Sequence, residues 1–154
     1  MKVYLAGPMT GIPQFNYPHF AAVAAMLREG GFDVQSPAEM DDPATQAAAL
    51  ASVDGAPGSG SANGETWGDF LARDVKLLAD DGIEAVAVLH GWENSQGARL
   101  ETFVANLLGL PIYRWGNLAM HGQDPSKWQR VSLRELTRAW SAKPDISFHT
   151  AHQP

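Results

Sequence analysis

The sequence predicts a three-layer α/β fold, a small parallel sheet with flanking helices, and three observations predict it. Short apolar runs recur at Lys2–Ala6, Phe32–Val34, Glu84–Leu89 and Pro111–Arg114, with helical-period segments between them. The connection after the first run packs two Gly and a Pro into five residues. The connection after the third, His90–Gly97, is polar and opens directly into another helical pattern. Strands alternating with helices build parallel sheets through right-handed crossovers, which lay helices on the sheet faces. With no internal repeat and no linker that splits the chain, one domain is expected over residues 1–140, followed by a polar tail at 141–154.

The elements follow in order. Lys2–Ala6 is a β-rich strand, broken by Gly7-Pro8-Met9-Thr10-Gly11. That loop either lets backbone approach a ligand closely or is an ordinary glycine turn. It is neither a dinucleotide G-x-G-x-x-G nor a P-loop. The loop continues through Ile12–Tyr17, and Pro18 suits the first turn of a helix. Phe20, Val23, Ala24 and Leu27 share one face of it, and Gly30-Gly31 ends it. Phe32-Asp33-Val34 is the second strand and leaves through Ser36-Pro37.

Residues 41–65 read as a flexible insertion. Ala44–Val53 is Ala-rich enough for a short helix, and residues 55–64 are low-complexity Gly/Ser/Pro/Ala. So long a soft connection is either a lid or a tolerated insertion. Thr66 caps a helix over Trp67–Asp80, with Phe70, Leu71, Val75, Leu77 and Leu78 as its apolar face and Asp69, Arg73, Asp74 and Lys76 as its charged residues. Asp80-Asp81-Gly82 stops it, and Glu84–Leu89 is a buried strand. Leu100–Leu108 is helical, ending at Gly109 before Pro111. Pro111–Arg114 is the fourth strand, Gly116–Ser126 reads as a loop, and Ser132 caps a last helix at Leu133–Trp140.

A net charge of -6 and a pI near 5.2 argue against a nucleic-acid polymer as partner. Any nucleotide ligand is then a monomer. The chain has no Cys, so no disulfide framework or thiol nucleophile, and its five His lack ligand spacing. Neither a metal nor another cofactor is expected. No apolar run is long enough for a membrane span and no signal peptide is apparent, so a cytoplasmic protein is expected.

Ligands of open α/β sheets bind beyond the carboxyl ends of the strands. Glu101 falls there, in the first turns of a helix, as a nucleophile, a base or only a helix-dipole partner. Tyr4 lies near the carboxyl end of the first strand and is otherwise an ordinary core tyrosine. Asp74 faces either the same pocket or solvent. Two carboxyls converging on one pocket, Asp74 and Glu101, are what cleavage of a glycosidic bond needs. Asn94 and Ser95 offer amide and hydroxyl hydrogen bonds at the same crevice. No Ser-His-Asp arrangement and no G-x-S-x-G elbow is present.

Val3-Tyr4-Leu5-Ala6-Gly7-Pro8-Met9-Thr10-Gly11, then Asp74 within Ala72-Arg73-Asp74-Val75-Lys76-Leu77-Leu78, then Ser95-x-Gly97-x-x-x-Glu101, resembles the nucleoside 2-deoxyribosyltransferase superfamily. Within it the pattern is similar to the small deoxynucleoside-monophosphate N-glycosidases and to phage and bacterial proteins grouped with them as an uncharacterised domain family. The resemblance spans roughly residues 2–115. It implies a flavodoxin/Rossmann-like, nucleoside deoxyribosyltransferase-like fold, and an enzyme that hydrolyses or transfers a 2-deoxynucleoside or its 5′-monophosphate through a glutamyl-sugar intermediate. Glu101 matches the Glu that attacks C1′, Asp74 the Asp that supports the sugar or protonates the leaving base, and Tyr4 the Tyr that orients the nucleophile. Ser95 and Gly97 match the loop around the 5′ group. Gly7, Thr10 and Gly11 match the first-strand loop near base and phosphate, which makes Pro8 and Met9 between them substrate-binding candidates as well. The resemblance also implies a homodimer or larger homo-oligomer.

Two positions depart from that pattern. Thr10 stands where the glycosidases carry a basic residue. Arg99 stands where relatives have Gly, and it either restores the lost positive charge or fills the pocket of a non-catalytic nucleotide-binding or sequestering protein. A third reading is a structural oligomer subunit whose Trp67, Trp92 and Trp115 face a partner.

Overall fold

Residues 1–80 and 82–142 are described by a computed structural model of the chain. Four short strands, β1 (Lys2–Ala6), β2 (Asp33–Gln35), β3 (Ala85–Val88) and β4 (Ile112–Arg114), pair in parallel in the order β2-β1-β3-β4. Tyr4 lies opposite Gln35 on one side and Val86 on the other. Side chains alternate across a strand, and both faces of this sheet are covered. Val3, Leu5, Ala85 and Ala87 join one core cluster, and Tyr4, Ala6, Val86 and Val88 the other.

The first cluster is closed by α1 (Tyr17–Glu29), through Phe20, Val23, Ala24 and Leu27, and by Leu118 of α6 (Trp115–His121). The second is closed by Leu77 and Leu78 of α4 (Trp67–Asp80), Ala98 and Ala105 of α5 (Gln96–Leu107), and Leu136 and Ala139 of α7 (Leu133–Ser141). These are the three layers the sequence predicts. Each large apolar side chain taken fully from water contributes on the order of 1.5–3 kcal/mol. Phe20, Leu27 and Leu118 are all completely buried.

Local signals set the helix ends. Past α1, Gly31 takes φ 87°, Phe32 N–H donates to Leu27 O at 3.1 Å and Gly31 N–H to Arg28 O at 2.9 Å. Gly109, at φ 76°, closes α5 with the same pair of bonds, from Leu110 to Ala105 and from itself to Asn106. Only a residue without Cβ takes that left-handed position cheaply. Thr66 and Asp69 bond reciprocally at the start of α4, and Ser132 and Glu135 form a capping box on α7.

Three boundaries differ from the sequence reading. α5 starts at Gln96, not Leu100, because the Ser95 hydroxyl accepts the Ala98 N–H at 3.3 Å and caps it early. Residues 116–121 are not loop: α6 occupies them. Two turns are too few for a periodic pattern, and Gly116 and Gly122 look like breakers although Leu118 anchors the helix in the core. A further turn of helix, α2 (Pro37–Met40), follows β2.

The 41–65 segment is laid onto the first loop. It carries α3 (Pro43–Ala51), capped by the Asp42 carboxylate, which accepts the Ala44 and Thr45 N–H groups. Gly11 N–H donates to Gly55 O and Gln14 N–H to Ser52 O, both at 2.8 Å. The expected polar tail falls outside the described residues from residue 143 onward. No helix among the described residues is long and apolar enough to cross a membrane.

Candidate active site

Beyond the carboxyl ends of β1 and β3 lies a cavity of about 750 Å³. The two strands are neighbours, yet the chain leaves β1 for a helix on one face and β3 for a helix on the other. Such a divergence opens a crevice, where ligands of open α/β sheets sit. The first loop, the start of α5, the inner face of α4 and residues around Pro57–Ser61 form its walls.

At its floor the Tyr4 hydroxyl donates to Glu101 Oε1 at 2.7 Å. Tyr4 is completely buried and Glu101 is 5% exposed. The register explains the contact: Tyr4 points to the α5 side of the sheet, and Glu101 lies on the α5 face that packs on it. Burial, then the nearby Asp74 charge, pushes the Glu101 carboxyl up to about 8, against the pull of the Tyr4 hydroxyl and Arg73. Burial, then Glu101, holds the Tyr4 phenol well above its ordinary value, so it stays a donor.

Asp74 is buried, not solvent-facing, and takes two bonds from its neighbour Arg73, from Nε at 3.0 Å and Nη2 at 2.9 Å. Burial pushes Asp74 up to about 6 although Arg73 opposes it. Arg73 Nη1 donates to Asp41, which also accepts the Tyr17 hydroxyl. Burial works against the Arg73 charge, but Asp41 and Asp74 outweigh it and hold the guanidinium protonated. Among the described residues, no three His, Asp or Glu side chains are grouped to hold a metal ion.

One wall is strained. Gln14, Phe15 and Asn16 are consecutive non-glycine residues at φ 56°, 49° and 62°. Each left-handed residue costs on the order of 1–3 kcal/mol and needs surrounding structure to hold it. Here Gln14 Nε2 donates to Leu50 O at 3.1 Å, Phe15 N–H to Ile12 O at 2.9 Å and Asn16 Nδ2 to Pro8 O at 2.9 Å. The turn presents Phe15 to the cavity, where its ring rests on Gly60. A Cβ at residue 60 would come within 2.6 Å of that ring.

Gly7, Pro8, Met9 and Thr10 line the cavity, as do Asn94, Ser95, Gly97, Asp74 and Glu101. Gly7 is also a packing glycine, since a Cβ there would stand 2.8 Å from Leu89 Cβ. Gly11 is not in the wall; its N–H is turned to Gly55. Arg99 lines the cavity, but its Nη2 donates to the Trp140 carbonyl at 3.1 Å and to the Ala142 carbonyl. Its guanidinium therefore braces the end of α7. Trp92 is not a partner-facing residue: it is buried in the second core cluster. Trp115 packs against the first cluster and meets His19 edge-on, while Trp67 is half exposed at the cavity rim.

A family model matches residues 1–114, described as a domain of unknown function, DUF4406. The chain belongs to the DUF4406 family. No curated protein and no solved structure matches it. The DUF4406 region holds Tyr4, Asp41, Arg73, Asp74 and Glu101, and ends at the last residue of β4. The carbonyls that engage Arg99 lie outside it, in α7 and just beyond.

Asp41, Tyr17, Phe15 and the role of Arg73 are absent from the sequence-level site. Asp41 and Phe15 sit in non-periodic segments, where no pattern assigns a facing direction. Arg73 reads as one charge on an amphipathic helix. Its available signal is adjacency to Asp74 within a helix whose other charged residues lie at the solvent face.

Proposed function

We propose that the chain is an N-glycosidic enzyme acting on a 2-deoxynucleoside or its 5′-monophosphate. The observation that carries the reading is the buried Glu101–Tyr4 pair beside Asp74 at the floor of the cavity. Tyr4 occupies Oε1 of Glu101, which leaves Oε2 to attack C1′. As the C1′–N bond breaks, its electron pair passes to the leaving base, and a protonated Asp74 supplies the base nitrogen with its proton. In the second step water attacks C1′, its proton passes to Asp74, and the Glu101 carboxylate is released. A second base in place of water makes the outcome transfer.

Charge favours the uncharged nucleoside over the monophosphate. Asp41, Glu65, Asp74, Glu93 and Glu101 line the cavity against only Arg73 and Arg99, both already engaged by protein acceptors. A phosphate dianion would enter a cavity lined mostly by carboxyls, where both guanidiniums are drawn to protein acceptors and the Arg99 Nε, which has no partner among the described residues, is buried.

Incubation with the four 2′-deoxynucleosides and their monophosphates, with chromatography for free base, tests the reading. Base release that disappears in Glu101→Gln is the expected result; no release from any of the eight counts against it. One observation favours the alternative, a nucleotide-binding or sequestering protein. With its carboxyl pushed up to about 8, Glu101 is mostly protonated at neutral pH and a poor nucleophile in the empty site. Assays at pH 7 and pH 9 separate the two, since a binder releases base at neither.

A further inference from the structure

Asp74 is held by one of its two oxygens. Both Arg73 bonds reach Oδ1, whereas Oδ2 takes no hydrogen bond among the described residues, and Asp74 lines the cavity. Residues adjacent on a helix do not face each other, so this contact is not a by-product of helical spacing. The guanidinium is drawn across by other partners. Nη1 donates to Asp41, Nη2 lies 3.4 Å from the Pro37 carbonyl, and the guanidinium carbon sits 5.5 Å from the centre of the Phe70 ring. Asp41 is in turn pinned by the Tyr17 hydroxyl of α1 and is itself buried.

A carboxyl that must give a proton and take one back works best with one oxygen fixed and the other open to the reacting group. We propose that Arg73 is a positioning residue for Asp74: anchored by Asp41 and Tyr17, it fixes Oδ1 and leaves Oδ2 to exchange a proton with the ligand. The use of that proton rests on the glycosidic reading above. Oδ2–H passes its proton to the leaving nitrogen as the C1′–N bond breaks and regains one from the attacking water. The holding of Asp74 does not depend on that reading. The groups facing the guanidinium are Asp41 and Tyr17 from the opposite wall and Asp74 on its own helix, with Glu101 and Tyr4 behind Asp74. Three carboxyls and two phenols thus share one cation.

The residue before Asp74 therefore sets its proton affinity as well as its direction, which separates positioning from mere stabilisation. Arg73→Met keeps the stem and removes the donors. Arg73→Lys keeps the charge without the fork. Asp41→Asn combined with Arg73→Met removes that pair together, so that one buried acid fewer is left uncompensated if the single variant fails to fold. Two readouts apply: titration of the Asp74 carboxyl by carbon NMR in the ligand-free protein, and kcat and KM for base release across pH. The Asp74 midpoint is expected to rise by about one pH unit or more in Arg73→Met, and by less in the double variant, which also removes the Asp41 charge that raises it. In the same variants kcat should fall about tenfold or more with KM nearly unchanged, and Arg73→Lys should lie between. An unmoved Asp74 midpoint with only a lower melting temperature would make the ion pairs structural and overturn the proposal. A raised KM with unchanged kcat would make Arg73 a ligand contact and overturn it equally. If the wild-type protein releases no base, the glycosidic reading fails, and the Asp74 titration by itself decides whether Arg73 positions it.

Discussion

Tyr4→Phe deletes a single hydroxyl from the floor of the cavity. In the wild type that hydroxyl donates to Glu101 Oε1 at 2.7 Å in a fully buried setting, and it stabilises the ionised carboxylate. A hydrogen bond to a charged group contributes about 1.5–3 kcal/mol. One pH unit corresponds to about 1.4 kcal/mol, so the loss should raise the Glu101 carboxyl by about one to two units above its value of about 8. The sign follows from the chemistry: the nucleophile is the ionised form, so the share of sites able to attack grows as pH rises through that value. At pH 7 about a tenth of the wild-type sites are ionised, against about a hundredth to a thousandth in the variant. The protonated Asp74 that the reaction also needs, its carboxyl pushed up to about 6, falls away alike in both proteins, so the ratio of variant to wild-type kcat/KM, measured from pH 6 to 10, should stay at about a tenth to a hundredth at neutral pH and climb toward one between about pH 8 and 10. The deficit should be largest at neutral pH and shrink toward pH 10. A uniform loss at every pH, or no loss at neutral pH, would refute this account of Tyr4.

Three other outcomes are expected. Glu101→Gln should abolish base release and remove a pH dependence of stability. The folded carboxyl binds its proton up to about 8 while the unfolded one releases it near 4.5, so wild-type stability should fall by up to about 1.4 kcal/mol per unit from this group across that window, and denaturant melts of the variant should lack the slope above about pH 6, below which the raised Asp74 adds its own. Gly55→Ala drives a Cβ into the Ile12 carbonyl oxygen at a residue with φ 64°, and should cost more than about 2 kcal/mol; an unchanged denaturation midpoint would contradict the packing described. The protein should be at least a dimer, since Leu100, Phe103 and Leu107 expose an apolar stripe along α5, and light scattering showing only 16.6 kDa particles would count against it.

The parts of this molecule legible in its sequence are those with an apolar run, a period or a cap. The short apolar runs of β1 and β3, the Phe20–Leu27 face, and Gly31 and Gly109 as helix stops all rest on local rules, and the structure follows them. Glu101 is placed by its position after a strand-to-helix crossing. What was not legible depends on long-range packing. Leu118 is buried by its partners rather than by any visible pattern, so α6 reads as loop. Asp41 and Arg73 meet across 32 residues of chain, most of it aperiodic, and nothing local marks either as a partner of the other. The low-complexity stretch lacks a hydrophobic signal, yet Gly55 and Gly60 are needed there because the backbone of Ile12 and the ring of Phe15 come so close.

The strand order also bears on how the chain is made. β1 is central, and its partner on one side, β2, follows within a few tens of residues. Its other partner, β3, is translated roughly eighty residues after it. At ~5–20 residues per second that interval is roughly 4–16 s. For that time the run Val3–Ala6, which ends up completely buried, has one edge unpaired and its Tyr4 hydroxyl without Glu101. A nascent chain in that state is a template for pairing with other chains. Chaperone engagement during synthesis should therefore fall off once β3 has cleared the ribosome, and a circular permutant that brings β1 and β3 close in sequence should shorten that exposure.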